Sequence, residues 1–165
     1  WQQDVPANLE PWAEPTTLML GPDGQPSIVE VAFDDPANPV KLAIWCVQVG
    51  RVPLFLLDSD LDGNPEWTRT ISARLYGGDR EHRLRQEMFL GIGGVRALRA
   101  VGLEPAYWHA NEGHAAFSML ERVRELVAQG QSFDDAAELV RETTVFTSHT
   151  PVPAGHDVFG PELID

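Results

Sequence analysis

The chain has 165 residues, with 25 acids against 12 bases, a formal charge of −13 and a single cysteine. One cysteine excludes an internal disulfide framework. The acids are spread evenly, which disfavours a sequence-independent grip on nucleic acid or on anionic membrane, both of which need clustered positive charge.

At 43% hydrophobic and 22% charged residues, the composition is near the globular average and allows a sizeable buried core, in one domain or part of one. No apolar run approaches the ~20 residues that span a bilayer. The chain opens Trp1-Gln2-Gln3-Asp4 and shows no charged segment leading into an apolar stretch, so no signal peptide is visible and both ends look like cuts. Cys46, in an apolar strand pattern without a neighbour to lower its pKa, reads as a reduced, buried thiol, which fits a cytoplasmic setting.

Residues 1–60 read as strands and turns. Leu18-Met19-Leu20 leads into the turn cluster Gly21-Pro22-Asp23-Gly24 and then the β-branched run 28–33, which predicts a hairpin. Residues 40–49 alternate as a strand. Residues 52–57, interrupted by Pro53 and followed by Asp58-Ser59-Asp60, read as a buried strand, with the proline placing it near an edge or at its start.

From 61 to 165 the character is helical and then alternating α and β. Over 81–100, Leu84, Met88, Ile92, Val95 and Leu98 recur at helical spacing, with Asp79 as N-cap and Gly77-Gly78 before it. Gly91, Gly93 and Gly94 inside that pattern each cost up to ~1 kcal/mol relative to alanine, which points to close packing against another backbone. Residues 106–109 predict a short strand, and 115–129 a helix with Phe117, Leu120, Val123 or Arg124, and Val127 on one side. Ser132 with Asp135 forms a capping box for the next helix, and 144–147 is another strand. Two strands joined through helices imply a right-handed parallel crossover.

In open α/β sheets, ligands sit beyond the carboxyl ends of the strands. That rule selects Ala110-Asn111-Glu112-Gly113-His114 and the segment from Ser148 to Asp157, so Asn111, Glu112, His114, His149 and Thr150 converge if the two strands are neighbours. Each has a simpler reading: Asn111 as a helix cap, Glu112 as a helix-dipole partner, His114 as a hydrogen-bonded core histidine, His149 as a loop residue orienting its own backbone. Together they supply the donors and acceptors that a polyhydroxylated ligand needs, with Trp108 and Tyr76 available to cover sugar faces. Glu112 and Asp157 offer a carboxylate pair for glycoside hydrolysis, at a separation the sequence leaves open. The run Gly91-Ile92-Gly93-Gly94 lacks the spacing and placement of a nucleotide loop, and His109 and His114 lack helical metal-ligand spacing.

The motifs RLYGGDREHRLRQE (74–87), GIGGVRAL (91–98), NEGHAAF (111–117) and VFTSHTPVPAGHD (145–157), with VGRVPLFLLD (49–58), together resemble the shorter bacterial branch of the α-glucan (glycogen or maltodextrin) phosphorylases. The likeness runs in order across nearly the whole chain. Ser148 stands where the family usually has Thr, and Gly160 where Pro is common.

The resemblance implies transfer of a glucosyl unit from an α-1,4-glucan to inorganic phosphate, giving glucose 1-phosphate with retention. It implies an α/β fold that forms part of the Rossmann-like N-terminal lobe of a two-lobed, GT-B type glycosyltransferase with pyridoxal phosphate in its C-terminal lobe. Residues matching Asn111, Glu112 and His114 belong to the wall of the glucan channel, with Thr150 beside them. His149 contacts the glucosyl unit through its side chain, and its backbone carbonyl lies near the developing cation. Asp79 and the glycines before it resemble a gate beside the site. The pyridoxal lysine is missing, since Lys41 is the only lysine and lies in a strand of the wrong region. The chain therefore reads as an internal segment that does not catalyse alone. It needs the absent C-terminal lobe, within a full-length enzyme that can be a homo-oligomer. Two alternatives stay open: a nucleotide-sugar glycosyltransferase lobe, and a non-catalytic carbohydrate-binding domain.

Between residues 79 and 99, five arginines face three acids. This locally basic element reads as a salt-bridged surface.

Overall fold

The computed structural model describes residues 16–33, 35–73, 78–151 and 158–163. The ten-residue strand β3 (Val40–Val49) organises an antiparallel sheet: β4 (Val52–Asp58) returns along one of its edges. The other edge is shared end to end by β1 (Thr16–Leu18), opposite residues 45–47, and β2 (Ile28–Val31), opposite residues 40–43. This corrects the extent of the expected hairpin. The two runs are collinear halves of one interrupted strand, and the turn at Gly21–Gly24 closes a short excursion between them, held by Ser27 N–H donating to the Met19 carbonyl at 2.8 Å. The expected hairpin survives as that tight turn, with Leu20 bridging Pro26, while the strands beyond it pair with the edge of β3.

Strand β4 is buried on one side only. Phe55 and Leu57 face the core, while Val52, Leu54 and Leu56 are exposed, as a period of two requires. Pro53 sits on this edge strand, where its missing N–H is tolerated. Cys46 on β3 is half-buried rather than buried, although Thr17 pairs with it on one side and Phe55 on the other. Asn64 extends the ladder from a side chain: its Oδ1 accepts from Lys41 N–H at 3.0 Å and its Nδ2 donates to the Lys41 carbonyl at 2.8 Å.

Val29, Val31, Val40, Leu42 and Ile44 form the sheet's contribution to the core, closed by Ile71, Phe89 and Ala97. The short helix α1 (Glu66–Arg69) is followed by α2 (Arg80–Met88), a π turn (Phe89–Gly93) and α3 (Gly94–Ala100), the last three forming one rod. Asp79 caps it as expected, accepting from His82 N–H at 2.9 Å. The π turn was not predicted, because a run of apolar spacing carries no signal for one extra residue in a turn. Gly93 packs on the sheet so closely that a Cβ there would lie 2.8 Å from Leu42 Cδ1.

After the rod, β5 (Trp108–Asn111) leads through a 3₁₀ turn (Gly113–Ala115) to α4 (Phe117–Ala128), then α5 (Phe133–Glu142) and β6 (Thr144–Thr147). Strands β5 and β6 pair in parallel, Asn111 opposite Thr147, as the crossover argument requires. Ser132 caps α5, accepting from Asp135 N–H at 3.2 Å.

The expected apolar face of α4 is corrected: Leu120 and Val127 are exposed, and the buried positions are Glu121 and Arg122. Glu121 joins the rod to α4 by accepting from Arg96 Nε at 2.7 Å and from Arg124 Nε at 2.8 Å. Burial opposes its charge, but the hydrogen bonds from Arg124 and Arg96 outweigh burial and hold its carboxyl below the ordinary value. Glu81 with Arg85 and Glu125 with Arg99 at 3.2 Å are part-exposed pairs of the salt-bridged surface read from the sequence, whereas Glu87 with Arg83 at 3.6 Å is buried. Glu121→Ala is expected to destabilise the protein by about 1–3 kcal/mol, because two guanidinium groups lose a desolvated acceptor. A urea unfolding midpoint unchanged from wild type would contradict this.

Candidate functional site

Parallel pairing brings the carboxyl ends of β5 and β6 side by side, and the loops that follow them meet through one carboxylate. Glu112 is 3% exposed. Its Oε1 accepts from the backbone N–H of His149 at 2.9 Å and of Thr150 at 2.8 Å, and lies 3.3 Å from His149 Nδ1. The His149 N–H, then the Thr150 hydroxyl and N–H and the His149 ring, hold the Glu112 carboxyl down to about 2, against burial. Its Oε2 is buried with no hydrogen-bond partner among the described residues. Glu112 also has φ of 58° and is the only non-glycine residue with positive φ among the described residues.

Glu112, His149 and Thr150 are thus brought into direct contact. Asn111, the last residue of β5, is exposed beside them. It does not cap the following turn, whose N-cap position is Glu112 and whose cap has no side-chain hydrogen bond. The His149 side chain is 61% exposed.

His114 turns the other way. Its Nδ1 lies 2.6 Å from Arg83 Nη2 and 3.7 Å from Glu87 Oε1, and Arg83 Nη1 donates to Gln86 Oε1 at 3.4 Å. These residues connect the 3₁₀ turn to α2, whose N-terminus is capped by Asp79. Sequence reasoning missed Arg83 and Glu87 as members of the polar cluster. The i, i+4 spacing of opposite charges in RLRQE was the available signal, but spacing alone does not identify the third partner, His114.

Arg83, Glu87 and His114 line one end of a cavity of about 580 Å³. Its remaining wall is mostly apolar, including Phe55, Leu57, Leu90, Val95 and Leu98, and it includes none of Asp79, Asn111, Glu112, His149 and Thr150. Of the strand-end candidates, His114 alone lines this cavity. Trp108 is not available as a sugar platform on both faces. The Arg122 guanidinium lies 4.8 Å from its ring centroid and that of Arg99 5.7 Å, and Arg122 is itself tied to Thr143 Oγ1 and Thr144 Oγ1. Tyr76, Gly77, His156 and Asp157 lie outside the described residues, and with Asp157 goes the proposed carboxylate pair.

Lowering the pH tests the Glu112 tether. Because its carboxyl sits below its unfolded value, its contribution to stability is present above about pH 4.5 and is lost as pH falls through about 2. Wild-type protein should exceed Glu112→Gln in urea midpoint at pH 5, with the gap closing progressively toward pH 2. A gap independent of pH would show that the charge does not hold the loops.

Known proteins similar to this chain include two glycogen phosphorylases and a maltodextrin phosphorylase. The chain is 50% identical over 99% of its length to the glycogen phosphorylase of Mycobacterium tuberculosis, 42% identical over 96% to the maltodextrin phosphorylase of Thermococcus litoralis, and 33% identical over 100% to the glycogen phosphorylase of Aquifex aeolicus. It covers 20%, 19% and 24% of their respective lengths. No family model and no solved structure matches. Among the described residues no helix is long and apolar enough to cross a membrane. With half of its residues identical along nearly its whole length to a glycogen phosphorylase, the chain belongs to the glycogen and maltodextrin phosphorylase family, as a segment spanning about a fifth of its relatives' length.

Proposed function

We propose that this chain is part of the N-terminal lobe of an α-glucan phosphorylase acting in the cytoplasm. That enzyme moves a glucosyl unit from an α-1,4-glucan to inorganic phosphate and releases glucose 1-phosphate. The observation that carries this reading is the 50% identity across the chain, in a structure where the two sequence-selected loops meet at Glu112. In this reading Asn111, Glu112, His114 and Thr150 belong to the wall of the glucan channel, Asp79 lies at the gate, and His149 contacts the glucosyl unit. The exposed His149 ring and Asn111 amide supply a donor and an acceptor to sugar hydroxyls, the mixture that such a ligand needs.

Pyridoxal phosphate, in this reading, supplies a phosphate group for proton transfer when bound. The residues of this chain do not fit its attachment. Lys41 is the only lysine, and it lies on β3 with its backbone N–H and carbonyl taken by Asn64, in a different sheet from β5 and β6. The group belongs to the remainder of the enzyme, and the residues of this chain act on the glucan side.

Incubating the full-length protein with maltoheptaose and orthophosphate should yield glucose 1-phosphate, while this segment alone should yield none. Turnover of a nucleotide-sugar donor without glucose 1-phosphate formation would replace this reading with the glycosyltransferase alternative.

A further inference from the structure

We propose that Glu112 is a positioning residue that sets the direction of the His149 carbonyl by holding the two peptide N–H groups on either side of it. The proposal rests on the phosphorylase reading for what that carbonyl faces; the tether itself rests on geometry alone.

Three observations carry it. Glu112 is fixed from both ends: its own N–H donates to the Thr147 carbonyl at 2.8 Å, continuing the β5–β6 ladder by one bond, and its carboxylate reaches forward to His149 and Thr150. Its backbone conformation, φ 58° and ψ −166°, is one that glycine adopts freely and other residues adopt at a cost of about 1–3 kcal/mol. A residue kept at such a position is there for its side chain, and that side chain does not cap the turn it precedes. Finally, His149 takes its hydrogen bond and ion-pair contact from Glu112 and from no other side chain among the described residues, while its ring stays exposed.

The consequence follows from peptide geometry. The described residues contain no cis peptide bond, and in a trans peptide the N–H and the preceding C=O point in opposite directions. With Thr150 N–H aimed at Glu112 Oε1, the His149 carbonyl is aimed away from Glu112. With His149 N–H aimed at the same oxygen, the peptide before it is fixed as well. Two adjacent peptide planes are thus set by one carboxylate oxygen, so the carbonyl is oriented before substrate arrives, without cost at the moment of reaction.

The test uses the full-length protein and three variants: Glu112→Ala, Glu112→Gly and Glu112→Gln. Amide hydrogen exchange over residues 148–151 is read without substrate, and kcat and KM are read with maltoheptaose and orthophosphate. Glu112→Gln keeps an acceptor oxygen but loses the charge, so exchange should quicken and kcat should fall, both by less than in the acceptor-free variants. Glu112→Ala and Glu112→Gly remove the acceptor. Exchange should quicken at least about tenfold, and kcat should fall by up to about 100-fold with KM little changed, as for a misplaced reacting group. Glu112→Gly guards against misreading instability, because glycine relieves the backbone strain and should unfold no earlier than Glu112→Ala.

Unaltered exchange in both acceptor-free variants would overturn the tether whatever the kinetics. Faster exchange with unchanged kcat would overturn the positioning role, and so would a Glu112→Gln variant that keeps its protection but loses activity as Glu112→Ala does. A wild-type enzyme that makes no glucose 1-phosphate would instead refute the phosphorylase reading, and the positioning role with it, leaving the exchange measurement to decide the tether.

Discussion

Gly91→Ala should lower the unfolding midpoint of the full-length protein, whereas Gly94→Ala, three residues along the same rod, should raise it or leave it unchanged. A Cβ at Gly91 would stand 2.6 Å from Phe117 Cβ and 2.7 Å from Ser118 N, distances that real atoms do not share, and the nearest atoms belong to or adjoin the α4 backbone. The start of α4 must therefore shift, at a cost of about 1–3 kcal/mol for overpacking, which outweighs the gain of up to ~1 kcal/mol in helix propensity. At Gly94 a Cβ meets nothing within 4 Å, so only the propensity gain remains. Because α4 starts just after the Glu112 turn, the Gly91 variant should also quicken amide exchange in residues 113–117. Equal midpoints for the two variants would show that the rod does not pack on α4 as described.

The contrast between these glycines shows how far the sequence could be read. Local signals were legible: the caps at Asp79 and Ser132, the helical spacing through Leu84 and Val95, and the run of β-branched residues over 144–147 depend on neighbours within four positions. The parallel pairing of β5 and β6 was legible too, since two strands separated by helices have few ways to pair. What escaped was decided by distant partners. Nothing near residues 16–31 says that β1 and β2 both choose the edge of β3. Nothing near Leu120 says that the buried side of α4 is polar, because Arg96 lies 25 positions away from Glu121. The candidate site shows the same division. Its residues were named from the strand-end rule, but the use of Glu112 as a tether was hidden, since positive φ at a non-glycine residue runs against local preference and is held there by a contact 37 positions away.

His149→Ala in the full-length enzyme should reduce kcat by about 10- to 100-fold, corresponding to about 1.4–2.7 kcal/mol of transition-state stabilisation, while glucan binding weakens far less. The structure leaves the ring 61% exposed at the mouth of the strand-end site, so its removal creates no cavity and should not lower the unfolding midpoint. The backbone N–H that Glu112 holds survives in alanine, so the loop keeps its path and the carbonyl its direction. Besides the ring's 3.3 Å contact with Glu112 Oε1, the loss on the phosphorylase reading is a side-chain contact with the glucosyl unit. A contact felt mainly in the transition state appears in kcat and not in KM. Comparison with Glu112→Ala then separates two ways of disabling the same residue: one deletes the ring and leaves the backbone aimed, the other leaves the ring and frees the backbone. If both contributions act on the reacting sugar, the double variant should fall further than either alone, but by less than the product of the two losses, since the freed ring of Glu112→Ala is already partly misplaced. Unchanged turnover in His149→Ala would remove that side chain from the reaction centre, and a lowered midpoint with normal turnover in the folded fraction would reduce its role to loop stability.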